Sequence, residues 1–239
     1  MVAEQLDEEL VPNPHGLMEM ARRKLGRPLD ATAESRILEA GMQLYGREGW
    51  RGATMSAIAQ EAGVGKSLLY SRFASPTAIL IAAFETFVTE LTGDFGSVRD
   101  LLLAEANRMA DLYLGPYALA TRRAQIDAAA GVPPFERITE DMSRRTVLPM
   151  RRRIREAIDS GELPPWTRVT PLLDVIEGAV QMHIFAAPQL SERIRVNIRS
   201  YTEQLVDEQL LLLSQVGTAR GANDPTWTPD HRWTLGQGC

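Results

Sequence analysis

The chain has 239 residues, 44% of them hydrophobic and 24% charged, a balance that can bury a core without disulfides or metals and that excludes a disordered chain. The only cysteine is Cys239, so no intramolecular disulfide, redox pair or cysteine-based zinc site is available, and a reducing cytoplasm is the expected compartment. A net charge of −5 argues against a nucleic-acid partner only as an average: residues 1–21 carry five acids and no Lys or Arg, whereas residues 22–73 carry nine bases against five acids.

Residues 1–30 read as a flexible arm that begins with acids where a secretory signal needs bases, so export is not expected. Its basic part, 22–28, is Arg22-Arg23-Lys24-Leu25-Gly26-Arg27-Pro28. Glycine before and proline after Arg27 favour an extended arginine that can slide into a narrow A·T minor groove. A solubilising linker fits the same composition.

From residue 33 onward apolar residues recur at three- and four-residue spacing, with Gly and Pro punctuation and no sustained alternation. This pattern predicts an all-α chain with helices over 33–48, 55–62, 66–73, 76–92, 97–114, 117–130, 135–160, 169–185 and 190–214. Gly49 ends the first, Thr54 can cap the second, Gly63 and Gly65 flank Val64 in a tight turn, and Ser75-Pro76 is a cap followed by proline at the first helical position. The longest apolar run, 78–84, is far short of the roughly 18 residues of a membrane span, and no membrane partner is expected. Residues 216–239, rich in Gly, Pro and Thr and holding Trp227 and Trp233, read as a flexible tail.

The stretch 54–73 reads as two short helices joined by a glycine turn. Met55, Ile58, Ala59 and Ala62 share one face of the first, and Leu69 and Phe73 form an inward stripe on the second. Small Ala59 and Gly63 permit the close crossing of a helix-turn-helix. With Leu69 and Phe73 inward, Lys66, Ser67, Leu68, Tyr70, Ser71 and Arg72 lie on or beside the outer side, and most of them carry donors suited to phosphates and base edges. A helical hairpin with a polar face and no DNA role has the same pattern. Gly65-Lys66-Ser67 resembles the end of a phosphate-binding loop, but position 60, where that loop needs glycine, is Gln60 and no strand precedes it.

Residues 37–80, through Ile37-Leu38-Glu39-Ala40, Leu44-Tyr45, Gly49-Trp50, Thr54, Ile58-Ala59, Ala62-Gly63-Val64, Leu69-Tyr70 and Phe73, resemble the TetR family of bacterial one-component transcription regulators. The resemblance implies a DNA-binding domain over 31–75 and a helical effector-binding and dimerisation domain over 76–215. It implies that 66–72 enters the major groove, that Tyr70 holds a phosphate and that Thr54 caps its helix while meeting the DNA backbone. Ser75-Pro76-Thr77 stands where the family usually has a Ser-Lys-Glu type of run, and Ser71 is smaller than the family's frequent His, Tyr or Arg.

In the body, the candidates to line an apolar effector site are Met109, Tyr113, Tyr117, Phe135, Met142, Trp166, Met182 and Phe185. Helical stripes over 169–185 and 190–214 offer Ile176, Gly178, Ala179, His183, Ile194, Ile198, Tyr201 and Leu205 for a two-fold dimer interface, with packing inside one subunit as the alternative. No GxSxG, HExxH or strand-linked GxGxxG stands in the chain, so neither an enzyme nor a cofactor is expected. The resulting expectation is a homodimeric repressor on palindromic double-stranded DNA, released by a small, largely apolar effector. A helical protein-interaction dimer with reduced or lost DNA binding is the alternative.

Overall fold

The computed structural model describes residues 32–186 and 191–219, which form nine helices and no strand: α1 (Ala33–Glu48), α2 (Met55–Glu61), α3 (Lys66–Arg72), α4 (Pro76–Phe87), α5 (Val98–Leu114), α6 (Ala118–Ala129), α7 (Phe135–Asp159), α8 (Val169–Phe185) and α9 (Ser191–Ala219). The expected all-α architecture is therefore present. Among the described residues no single helix is long and apolar enough to cross a membrane.

Two apolar cores organise the chain. The first joins Ile37, Leu38, Met42 and Tyr45 of α1 to Ile58 of α2, Leu69 of α3 and Ile79, Leu80 and Phe84 of α4, and it continues into Ala120 and Ala124 of α6 and Phe135 and Ile138 of α7. The second joins α5, the later part of α7, α8 and α9 through residues such as Leu102, Ile154, Ile176, Val180 and Val206. We call these regions the head and the body. Helices α2 and α3, at seven residues each, are too short to persist alone, and their apolar faces on the head core hold them.

Helix α1 has Glu34 in its first turn and Arg47 in its last, the arrangement its dipole favours. It ends at Gly49, whose φ of 75° lies in the left-handed region and whose N–H donates to the Tyr45 carbonyl. Helix α4 starts as expected, with the Ser75 hydroxyl accepting from the Ala78 N–H and Pro76 in the first turn. It stops at Phe87 rather than at 92. β-Branched Val88, Thr89 and Thr92 precede Gly93 at φ 110°, and the Arg145 guanidinium of α7 donates to the Glu85 and Val88 carbonyls that a longer helix would have used itself. The chain then runs without helix to Ser97, which caps α5 by accepting from the Asp100 N–H.

Helix α7 spans both cores. Phe135 and Ile138 belong to the head, Met150, Ile154 and Ala157 to the body, and Pro149 interrupts its amide ladder between them. Helix α9 runs to Ala219, beyond the expected end at 214.

Candidate nucleic-acid interface

The α2–turn–α3 unit is built by caps and by three arginines. The Thr54 hydroxyl accepts from the Ala57 N–H at 3.2 Å and so satisfies one of the free amides that open α2. Gly63, at φ 61°, turns the chain after Ala62, and the Val64 N–H returns to the Ala59 carbonyl at 3.0 Å. Arg36 of α1 donates to the Ala62 carbonyl at 3.2 Å, closing the C-terminal end of α2. Arg47 of α1 pairs with Glu61 at 3.2 Å. The two arginines thus tie the end of α2 to α1.

That polar face is made of Lys66, Ser67, Tyr70 and Ser71, all exposed, while Leu69 between them is fully buried and Phe73 nearly so. Tyr70 is 59% exposed, an unusual setting for a large aromatic side chain with no partner of its own among the described residues. The neighbouring acids are neutralised: Glu61 by Arg47 and Glu34 by Arg72. Lys66 has no acidic partner among the described residues, which leaves a positive, hydroxyl-bearing ridge that can meet phosphates and base edges.

The predicted DNA-contact residues divide accordingly. Thr54, Lys66, Ser67, Tyr70 and Ser71 share the exposed side, though the Ser71 hydroxyl is already donated to the Leu68 carbonyl at 2.8 Å. Leu68 is half-buried at the edge. Arg72 departs from the expectation: its guanidinium is largely covered and binds the Glu34 carboxylate at 2.9 Å, so it ties α3 to α1 rather than standing free toward DNA. Helical spacing within 66–72 could not show this, because Glu34 lies in another helix. Glu34, Arg36 and Glu61, which set the angle of α3, carry no local motif and went unread. Arg27 lies outside the described residues.

The eight effector candidates do not converge on one place. Tyr117, Phe135 and Met142 pack on the head core, Phe135 stacking on Tyr45 at 4.6 Å and Tyr117 on Phe87 at 4.5 Å. Trp166 donates its indole N–H to the Leu213 carbonyl at 3.0 Å and fastens α9. Met182 is 63% exposed on the outer side of α8. Met109, Tyr113 and Phe185 belong to the body core, where Phe185 packs edge-on to Tyr113 at 5.1 Å and the Arg122 guanidinium lies 3.8 Å from the Phe185 ring centre. Apolar character selects buried positions but does not say which of two cores they enter.

This part of the body also buries charge. Arg108 grips Glu105 through two hydrogen bonds of 2.8 and 2.5 Å, and Glu105 is 3% exposed. Burial, and then the negative charge of Glu105, push the Glu177 carboxyl up to about 7, only partly offset by Arg108 and Arg151. Gln181 donates to Gln125 at 3.3 Å, and Gln125 to the Tyr113 hydroxyl at 2.8 Å. No group of His, Cys, Asp and Glu among the described residues could hold a metal ion.

Of the dimer candidates, Ile176, Ile194 and Ile198 are buried in the chain's own body core, the packing inside one subunit that the sequence left as the alternative to an interface. Leu205 and Tyr201 are half-buried beside that core, and the Tyr201 hydroxyl donates to the carbonyl of half-buried Ala179 at 3.3 Å. His183 is exposed and stacks flat on Tyr201 at 3.9 Å. The outward row of α8 is Val175, Gly178 and Met182, an uncharged strip one position away from the stripe that periodicity selects.

Residues 37–83 match the family model of bacterial regulatory proteins of the tetR family, and residues 92–207 match the tetracyclin repressor-like C-terminal domain. The fold is similar to that of the fatty acid degradation regulator FadR from Bacillus halodurans, with a TM-score of 0.56 and 15% identity over 74% of this chain and 94% of that one. It is likewise similar to a regulator from Rhodococcus sp. (TM-score 0.55, 21% identity, 75% and 100% covered). FadR from Bacillus subtilis, solved in complex with stearoyl-CoA, aligns with a TM-score of 0.54 and 16% identity over 74% and 97% of the two chains. No curated protein matches the sequence.

Proposed function

The chain belongs to the TetR family of bacterial transcriptional regulators, and from that premise we propose that it is a repressor that binds a palindromic operator as a homodimer and releases it on binding a small, largely apolar effector. The observation that carries the reading is the ridge of α3: Lys66, Ser67 and Tyr70 project outward from a helix whose other side is sealed by Leu69, while the acids beside it are already paired. Such a ridge supplies phosphate contacts from Lys66 and Tyr70 and base-edge contacts from Ser67. Two copies on a two-fold axis would enter successive major grooves about 34–36 Å apart.

Gly178 supports the dimer. A glycine within a helix costs about 1 kcal/mol relative to alanine, yet a Cβ at this position would meet nothing within 4 Å in its own chain. The space it leaves beside Val175 and Met182 suits the close approach of a helix from a second copy. The effector would lodge beside Met109, Tyr113 and Phe185, with Gln125 and Gln181 as polar anchors. Stearoyl-CoA, the ligand of the Bacillus subtilis relative, is the first probe to try.

The test is selection of bound sequences from a random double-stranded DNA library at near-physiological salt, repeated with Lys66→Ala/Tyr70→Phe. An enriched palindrome that the double variant fails to enrich supports the reading. Losing one phosphate contact should also flatten the salt dependence of log affinity by about one. A folded dimer that enriches no sequence overturns it in favour of a protein-interaction dimer.

A further inference from the structure

Helices α5, α6 and α8 meet in a seam that is open to solvent: Arg122 and Phe185 are half-buried there and Gln125 is exposed, while Tyr113 behind them is buried. The polar groups of the seam satisfy one another only in part. Gln181 of α8 donates to the Gln125 side-chain oxygen at 3.3 Å, and the Gln125 amide donates to the Tyr113 hydroxyl of α5 at 2.8 Å. The relay stops there, because the proton of that hydroxyl meets no acceptor among the described residues. Arg122 of α6 is left in a similar state. It donates through one Nη to the Tyr113 carbonyl at 3.3 Å and covers the Phe185 ring, but its Nε is buried without a hydrogen-bond partner. Donors therefore outnumber acceptors in the seam.

Arg122 also lacks a counter-charge. Burial pushes its guanidinium below the ordinary range, and among the described residues only the Tyr113 phenol offsets this. The other arginines drawn into the body are answered: Arg108 holds Glu105, and Arg151, whose Nε is likewise unpartnered, stands within electrostatic reach of Glu177. Glu177 lies eight residues before Phe185 on α8, about 12 Å along the helix axis, and does not serve Arg122. A partly desolvated cation and an unused hydroxyl proton beside two aromatic rings suit a ligand that brings negative oxygen on an apolar frame. We infer that the effector is an organic acid whose carboxylate is taken by Arg122, with the Tyr113 hydroxyl as second donor, and whose apolar part lies against Tyr113 and Phe185. This rests on the reading of the body as an effector site and narrows it to one chemical class.

Titration calorimetry on the full chain without DNA separates the charge from the apolar part, using decanoate, decanol and decylammonium below their micellar concentrations at neutral pH. Decanoate should bind about tenfold or more tighter than decanol, as a charge-assisted hydrogen bond provides. In Arg122→Gln that ratio should fall to about one. Arg122→Lys keeps the charge and should retain part of the preference, and Tyr113→Phe, which keeps the ring, should lower it by about threefold. Acid and alcohol share one chain, so their ratio cancels general damage to the fold, and the comparison in the unsubstituted protein decides even if a variant does not fold. Equal binding of decanoate and decanol overturns the inference, as does an acid preference that Arg122→Gln leaves intact. Tighter binding of decylammonium overturns it too and moves the ligand's head to Glu177. Should none of the three bind, the effector reading of this seam fails first and the acid falls with it, whatever the library selection says of DNA.

Discussion

The head and the body solve the placing of polar groups in opposite ways. In the head, the side chains that fix α2 and α3 sit at the rim: Thr54 caps, Arg36 closes a helix end, and Arg47 and Arg72 pair with acids near the surface, around an interior that is largely apolar. In the body, Glu105, Arg108 and Glu177 are drawn between long helices, and the Nε atoms of Arg122 and Arg151 are buried without a hydrogen-bond partner. Exposed pairs cost little to make, whereas buried charge is desolvated and returns little stability. The head is thus an apolar support with a displayed polar face, and the body holds charged side chains in its interior.

That contrast can be broken most severely in the head. Leu69→Ala removes a fully buried side chain from a seven-residue helix, and chemical denaturation should register a loss of about 2–5 kcal/mol, with DNA binding lost as α3 comes away from its support. The body should respond in the opposite sense. Folding raises the Glu177 pKa from 4.5 to about 7, so the folded chain keeps a proton that the unfolded chain releases, and its stability falls as pH rises between those values. Glu177→Gln should therefore leave the melting temperature near pH 4.5 almost unchanged and raise it at pH 8, by an amount corresponding to about 3 kcal/mol at most. Equal effects at both pH values would show that burial of this charge is not what the body bears.

Smaller substitutions sharpen the comparison. Thr54→Ala should cost about 1 kcal/mol through the lost cap, measured in the absence of DNA, since the hydroxyl already serves the Ala57 amide. At Gly178 the two levels of structure should diverge. Alanine there meets no neighbour in its own chain and should stabilise the subunit by up to about 1 kcal/mol, while analytical ultracentrifugation should show a weakened dimer. A dimer of unchanged affinity would remove Gly178 from the interface.

The same contrast explains what was legible in the sequence. In the head, function follows from neighbours in the chain: Thr54 before an amphipathic turn, Gly63 where the backbone needs positive φ, and Leu69 and Phe73 one turn apart. Arg72 looks free within its own helix, because its partner Glu34 stands in another helix, 38 residues earlier in the chain. In the body the helices and most of their bounds were legible as a 3.6-residue period, but the destination of each apolar side chain was not. Phe135 and Tyr117 look like any other aromatic residues until tertiary packing delivers them to the head. Ile176, Ile194 and Ile198 form a stripe that fits a core and an interface equally well. The early end of α4 has a local part, β-branched Val88, Thr89 and Thr92 before Gly93, and a distant one, Arg145, 57 residues beyond Val88, which no local propensity reports.

Pro149 has a consequence for how the molecule comes apart. It supplies no amide hydrogen, so the carbonyl one turn earlier, on Arg145, loses its helical partner at the place where α7 passes from one core to the other. With the ladder interrupted there, each half of α7 is anchored to its own core. Local opening at one end of α7 then need not run along the amide ladder to the other.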